Sequence, residues 1–240
     1  MTKILRRMAR QLIKADEEGR RTHLAIMRLL TKVRDASNLL DVGCYQGLKT
    51  AAYAEFLRIP LDAVVGIEPQ ECYAIESRKK FKVYGVDIEK DFFPVPDESF
   101  DLVICNQVLE HLKNIFQPLG ELDRVVKTGG YLLLGIPNLS GFYNRLLLLV
   151  GKQPLAIAIN GPHIRGFAHS AFLEFLRLNP NFKMIGVDSA NLYPLPYPLI
   201  EWLGGKFAGL STFTFYLLKK QNHNTDSCAW KKIEAKDTCF

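Results

Sequence analysis

Three apolar runs in this chain each end on an acidic residue, and that pattern is its most suggestive chemistry. The first run is Leu39-Leu40-Asp41-Val42, and it passes directly into Gly43-Cys44-Tyr45-Gln46-Gly47. Gly43 permits a tight turn and a close backbone approach to a ligand. Gly47 lets a helix begin close to the preceding strand, and the amides of such a loop and helix start can hold polar ligand groups. The spacing is not GxGxxG and no Lys-Ser/Thr follows, so neither the dinucleotide fingerprint nor a phosphate-cradling P-loop is present. The second run, Val64-Val65-Gly66-Ile67, closes on Glu68. An acid about 20 residues past a glycine loop suits ribose, because one carboxylate can accept from two neighbouring hydroxyls. The third run, Phe81 to Val86, closes on Asp87 and Ile88. Asp87 can accept from an adenine amino group while Ile88 covers the ring; an ordinary turn aspartate is the alternative.

These residues need a scaffold that brings strand ends side by side. The chain supplies alternating short apolar runs and helical patterns. Strands are predicted over 38–43, 63–68, 81–86, 100–105 and 130–136, the last opened by Gly129-Gly130. Helices are predicted over 48–58, 71–80, 108–112 and 119–126. Strands alternating with helices imply right-handed crossovers and a mainly parallel sheet. Continuous runs such as Leu102-Val103-Ile104 and Leu132-Leu133-Leu134 imply cover on both faces. After Pro137 come a Leu-rich helix (142–150), a Pro/Gly/His loop (154–169), and a helix over 171–178 with Ser170 as its N-cap. Two late strands are predicted over 182–188 and 212–218, with a stiff loop at Pro194, Pro196 and Pro198 and a short helix within 200–210 between them. Residues 221–240 are polar and aperiodic, a loose tail.

Bulk properties narrow the class. The 240 residues, 48% hydrophobic and 23% charged, suit one well-buried α/β domain. No apolar run is long enough for a membrane helix, and the start lacks a secretory pattern, so a cytoplasmic protein is expected, with membrane association left open. The five cysteines form no CxxC pair, and no metal-ligand spacing stands out. The net charge of +6 sits in residues 1–35, which hold ten Lys/Arg against four Asp/Glu, while the rest of the chain is balanced. Two amphipathic helices are expected there, broken near Gly19. That segment reads as a solvated cap or as a surface for an anionic partner.

With these residues in place, the chain resembles the class I S-adenosylmethionine-dependent methyltransferases over about residues 36–220. Asp41, Gly43, Gly47, Glu68 and Asp87 fall on the family's positions. So do Pro94-Val95-Pro96-Asp97-Glu98-Ser99-Phe100-Asp101-Leu102-Val103, Asn106-Gln107-Val108-Leu109-Glu110-His111-Leu112 and Gly129-Gly130-Tyr131-Leu132. Many members carry Gly where this chain has Tyr45. The resemblance implies a Rossmann-like three-layer sandwich, whose seven-stranded, mainly parallel sheet has one antiparallel edge strand. It implies S-adenosylmethionine as cofactor and S-adenosylhomocysteine as product. Asp41 would orient the methionine end, with Gly43, Tyr45 and Gly47 close to it. Glu68 would hold the ribose, Asp87 and Ile88 the adenine, and Asn106 and Gln107 would close the site. The domain would span 36–220, with 138–170 as a substrate-side insert.

Methyl transfer from a sulfonium needs alignment and sometimes a base. His111, after the fourth strand, and His163, in the insert, are candidate catalytic groups. Arg165 could meet a carboxylate or phosphate on the substrate. His169 reads as structural. The apolar insert (146–150, 155–159), with Tyr193, Tyr197, Leu199 and Trp202, suits a small-molecule or lipid-linked acceptor. An Asn-Pro-Pro-Tyr motif is absent after the fourth strand, which argues against the amines of nucleic-acid bases. The alternatives are an RNA or other nucleic-acid methyltransferase docking through residues 1–35, a non-catalytic cofactor-binding partner protein, and, least of all, a nicotinamide dehydrogenase. Oligomeric state is not legible.

Overall fold

The seven apolar segments that alternate with helices become the strands β1 (Leu39–Val42), β2 (Val64–Ile67), β3 (Lys82–Tyr84), β4 (Phe100–Asn106), β5 (Val126–Pro137), β6 (Phe182–Ala190) and β7 (Phe213–Lys220). They form one sheet in the order β3-β2-β1-β4-β5-β7-β6 in the computed structural model, which describes residues 17–192, 207–222 and 230. The pairings among β1 to β5 are all parallel. β7 runs antiparallel to both β5 and β6. Antiparallel pairing is therefore confined to one side of the sheet, where β6 is outermost. The chain doubles back at β1, so the carboxyl ends of β1 and β4 flank the switch point where open α/β sheets bind ligands.

Among the described residues the α-helices are α1 (Glu17–Leu30), α2 (Leu48–Leu57), α3 (Glu71–Arg78), α4 (Phe116–Val125), α5 (Phe142–Leu149) and α6 (His169–Arg177). Successive residues of β4 point to opposite faces. Val103 and Cys105 join a core with Leu119 and Leu122 of α4 and Phe172 of α6. Leu102 and Ile104 join a second core with Ile26 and Leu30 of α1 and Tyr53 of α2. All four of those β4 residues are fully buried, which explains why the run carries no polar alternation. Among the described residues, no helix is long and apolar enough to cross a membrane.

Several local boundaries differ from the sequence reading, each for a physical reason. α1 runs through Gly19 without a break, because its Leu24, Ile26, Met27, Leu29 and Leu30 are held in the core. Tertiary burial outweighs the roughly 1 kcal/mol helix penalty of a glycine. The predicted helix over 4–15 lies outside the described residues. Ser170 is not an N-cap: α6 begins at His169 with Ala168 as its cap. The start is tied instead by Asn138, whose Oδ1 accepts from the His169 N–H. β5 begins at Val126, ahead of the glycine pair, because Val126 already pairs with Phe100; the register then shifts and Gly129 takes φ +84°. Within 200–210 the described part is a short 3-10 turn, Ala208–Leu210, and the rest lies outside the described residues, as do Tyr193, Tyr197, Leu199 and Trp202.

Not all of 221–240 is a loose tail. Trp230 is fully buried, with its ring stacked on Phe182 at 5.5 Å and on Phe175 at 6.4 Å between centroids. Periodicity cannot register a single buried aromatic in a polar stretch. Trp230→Ala is expected to destabilise the fold by about 3–5 kcal/mol, the usual cost of emptying a buried Trp site. Urea unfolding checks this, and an unchanged midpoint would show that the ring is not part of the core.

Candidate active site

The loop after β1 is shaped by three left-handed residues. Gly43, Tyr45 and Gly47 take φ of +77°, +50° and +72°. The Gly43 N–H donates to the Ile67 carbonyl at 2.8 Å, and the Gly47 N–H to the Cys44 carbonyl at 2.9 Å. A Cβ on Gly43 would stand 2.4 Å from Val108 Cγ2, and one on Gly47 2.7 Å from Phe81 Cζ. Close approach as well as backbone conformation therefore demands glycine at both. Gly43→Ala is expected to cost about 2 kcal/mol or more, from the left-handed penalty and the Val108 overlap together. A thermal unfolding midpoint within error of the parent chain would contradict this.

Tyr45 occupies the position where the resembled family often has Gly, and its left-handed φ shows why. A non-glycine residue there costs about 1–2 kcal/mol. Three contacts offset that cost. Its N–H donates to Glu68 Oε2 at 2.9 Å, its carbonyl accepts from Ser77 Oγ at 2.8 Å, and its ring lies 3.9 Å from that of Tyr73.

Glu68 is buried at the end of β2 and does two jobs at once. Oε2 takes the Tyr45 N–H, and Oε1 takes the Gln70 N–H at 3.0 Å. Each oxygen keeps further lone-pair capacity for a ligand. Asp41, one strand over, is also buried and accepts a hydrogen bond from Thr50 Oγ1 of α2. Burial pushes its carboxyl up to about 7; the Thr50 hydroxyl and Lys49 pull it down, and Glu68 pushes it up further.

Asp87 lies past the end of β3 and is half-buried. Its carboxylate caps the local turn through the Glu89 N–H at 3.1 Å and pairs with Lys90 at 2.7 Å. The Lys90 contact is the main reason that its carboxyl lies below the usual range. The turn role read as an alternative in the sequence is thus present. Ile88 is buried beside it in the core. The register aligns Val42 with Ile67 and Cys105, and Asn106 with Gly135. Gly43, Glu68 and Asn106 therefore stand at adjacent strand ends. Gln107 follows at φ +58°. Asn106 Oδ1 and Gln107 Nε2 are buried with no hydrogen-bond partner among the described residues.

The structure brings together His111 and His163, which lie far apart in sequence. Their ring centroids are 4.8 Å apart, edge to face. His111 Nδ1 meets the Pro162 carbonyl at 3.2 Å, and His163 Nδ1 meets the Ala156 carbonyl at 2.9 Å. Burial holds His111 below the ordinary histidine range. Arg165 is partly committed, its Nη2 donating to the Lys113 carbonyl at 2.7 Å. The Ile164 and Arg165 N–H groups both donate to the Glu110 carbonyl, which pins the insert to the segment after β4. His169 donates or accepts at Tyr216 Oη, 2.8 Å away, in the structural role expected of it.

Sequence reading missed Glu110. It is fully buried, neither carboxylate oxygen has a partner among the described residues, and burial pushes the carboxyl up to about 8. The signal was there: an acid inside the apolar stretch Val108-Leu109-Glu110-His111-Leu112. No metal-ligand spacing stands out along the sequence, but the fold brings one such group together. Single ligand atoms of Glu110, His111 and His163 all lie within 4.8 Å of one another. Spacing along the chain could not show this, because the insert folds back across 52 residues. Thr50, Ser77 and Tyr73, which support Asp41 and Tyr45, were also missed, since nothing in helix periodicity marks them.

Comparison with known proteins finds methyltransferases. Residues 40–134 match the methyltransferase domain family. An uncharacterized methyltransferase of Schizosaccharomyces pombe is 33% identical over 115 residues, 43% of this chain and 41% of that one. The ubiquinone biosynthesis O-methyltransferase of Vibrio atlanticus is 26% identical over 65% of this chain and 68% of its own length. The chain spans less than half the length of the first relatives it matches. Among solved structures, a methyltransferase from Thermotoga maritima shares the fold at TM-score 0.58 and 20% identity, covering 85% of this chain and 90% of that one. The Haemonchus contortus phosphoethanolamine N-methyltransferase 1, solved with phosphoethanolamine and S-adenosylhomocysteine, aligns at TM-score 0.63 and 13% identity, over 98% of this chain and 52% of that one. Residues 40–134 thus carry a methyltransferase domain, and the relatives and folds that the chain resembles are S-adenosylmethionine-dependent methyltransferases.

Proposed function

We propose that this chain binds S-adenosylmethionine across the carboxyl ends of β1, β2 and β4 and methylates a small-molecule or lipid-linked acceptor. The observation that carries the reading is Glu68, a buried strand-end carboxylate that fixes the glycine loop through the Tyr45 N–H and keeps lone pairs for ribose hydroxyls. The residues present fit the cofactor: Asn106 Oδ1 and Gln107 Nε2 are buried without partners, and Gly43 leaves no room for a side chain. Bound S-adenosylmethionine supplies an electrophilic methyl carbon on a sulfonium.

The chain's own contribution is placement. Asp41 offers its carboxylate to the methionine end, and Gly43, Tyr45 and Gly47 present backbone there. Asp87 and Ile88 lie toward the adenine. His111 and His163 stand where the insert meets the segment after β4, and each can hold an acceptor or take its proton. Arg165, through the donors not used on Lys113, can meet an anionic group. The insert exposes Leu149 at 83% and Ile159 at 91%, an apolar surface suited to a hydrophobic acceptor. The V. atlanticus relative's name, a ubiquinone biosynthesis O-methyltransferase, points the same way.

Two measurements test the proposal. Calorimetry should show one S-adenosylmethionine bound per chain. Incubation of the protein with deuteromethyl-labelled cofactor and cell extracts, followed by mass detection, should reveal a labelled small or lipid product. No cofactor binding would end the proposal, and labelling confined to nucleic acid would replace the acceptor class.

A further inference from the structure

We propose that Glu110, His111 and His163 form a binding site for a divalent transition-metal ion at the seam between the segment after β4 and the insert. One ligand atom from each lies within 4.8 Å of the other two. The tautomers are set for ligation. A carbonyl only accepts, so the Nδ1 facing Pro162 in His111 and the Nδ1 facing Ala156 in His163 each carry the proton. Nε2 of both rings is then the lone-pair nitrogen. A metal-binding imidazole commonly has its other nitrogen donating to a backbone carbonyl in this way.

Glu110 is the independent observation. Its carboxyl group is fully buried with both oxygens unpartnered among the described residues. Buried carboxylates are ordinarily paired or coordinate metals. Among the described residues no cationic side chain is bonded to it, and the two imidazoles lie within reach of its carboxylate.

Two imidazoles and one carboxylate suit zinc or another first-row transition ion better than magnesium or calcium, which prefer oxygen ligands. Ligand atoms about 2.1 Å from a tetrahedral zinc stand ~3.4 Å apart. Binding therefore draws the three groups together by roughly an ångström, within the reach of side-chain torsions. Three protein ligands leave a coordination position open, as catalytic sites do. On the methyltransferase reading above, on which this part rests, that position would take an oxygen of the acceptor.

The test is zinc chloride titrated into the purified full-length protein after chelator treatment, with metal content measured separately. One zinc per chain is expected. Glu110→Gln and His163→Ala should each weaken zinc binding by at least ~10-fold, the lower end of what loss of even a supporting partner costs. Thermal unfolding in chelator shows whether each variant remains folded. His163 lies in a half-buried loop, so His163→Ala carries the test if Glu110→Gln does not fold. No zinc binding, or equal binding by the folded variants, overturns the site. Cofactor calorimetry on the same parent sample separates the two readings. Zinc without S-adenosylmethionine binding leaves the metal site standing and removes the methyltransferase reading, and the converse removes only the metal site.

Discussion

Asp41→Asn should stabilise the ligand-free protein at pH 8 by on the order of 2–4 kcal/mol and change it by less than about 1 kcal/mol at pH 4.5. The folded carboxyl titrates at about 7, well above its ordinary 3.8, chiefly because it is buried. Between those values the folded chain holds a proton that the unfolded chain has released. Stability therefore falls as pH rises from about 4 to about 7, and above that the full cost of the buried charge is present. Asn is neutral throughout and still offers an oxygen to Thr50 Oγ1. Urea unfolding at the two pH values measures the difference. An equal effect at both would show that the Asp41 charge is not the source of the cost. Cofactor binding should respond in the opposite direction. The methionine end of S-adenosylmethionine carries an ammonium, which favours the carboxylate form. Affinity should thus climb with pH toward about 7 in the parent chain, and drop roughly 10–100-fold in Asp41→Asn, the worth of a charged hydrogen bond. A residue that weakens the empty protein and strengthens the complex fits the trade between stability and activity seen at functional sites.

Glu68→Ala should weaken S-adenosylmethionine binding by about 1.5–3 kcal/mol, roughly 10- to 150-fold. Two losses combine. The ribose hydroxyls lose their acceptor, and the Tyr45 and Gln70 N–H groups lose theirs. Without the carboxylate, nothing described offsets the left-handed strain at Tyr45 except its contacts with Ser77 and Tyr73. Glu68→Gln keeps one acceptor oxygen and should fall between the parent and Ala. Calorimetry of the three proteins resolves the series. Equal affinities across it would remove Glu68 from the ligand site and leave it as a loop brace.

The sheet and its strand ends were legible because buried parallel strands write themselves as unbroken apolar runs. Leu102 to Cys105 is such a run, and the strands of the parallel part of the sheet overlap the predicted segments, whereas β6 and β7 carry Lys, Asp and Thr within them. Asp41, Gly43 and Glu68 were legible because each follows such a run. What stayed hidden depends on contacts between distant segments. Trp230 packs on β6 across 48 residues, and the His111–His163 pair forms only when the insert closes on the segment after β4. Glu110 sat beside a histidine already singled out, yet the burial of its carboxyl group is a property of the packed interior. Asp87 shows the reverse case: its turn bonds follow from local sequence alone, and they were read correctly as an alternative.

The clamp between Arg28 and Asp188, two bonds of 2.7 and 2.8 Å, joins a helix made early in synthesis to a strand made 160 residues later. Contacts of such long sequence separation slow folding, because loop closure precedes the reward. While the intervening chain is still emerging, the part of α1 that faces β6 lies uncovered. Ile26 and Leu30 share a core with residues of β1 and β4, but the part of α1 that packs on β6 and β7 is completed only when those strands arrive. The domain is thus completed late, when its β6 and β7 side closes over α1.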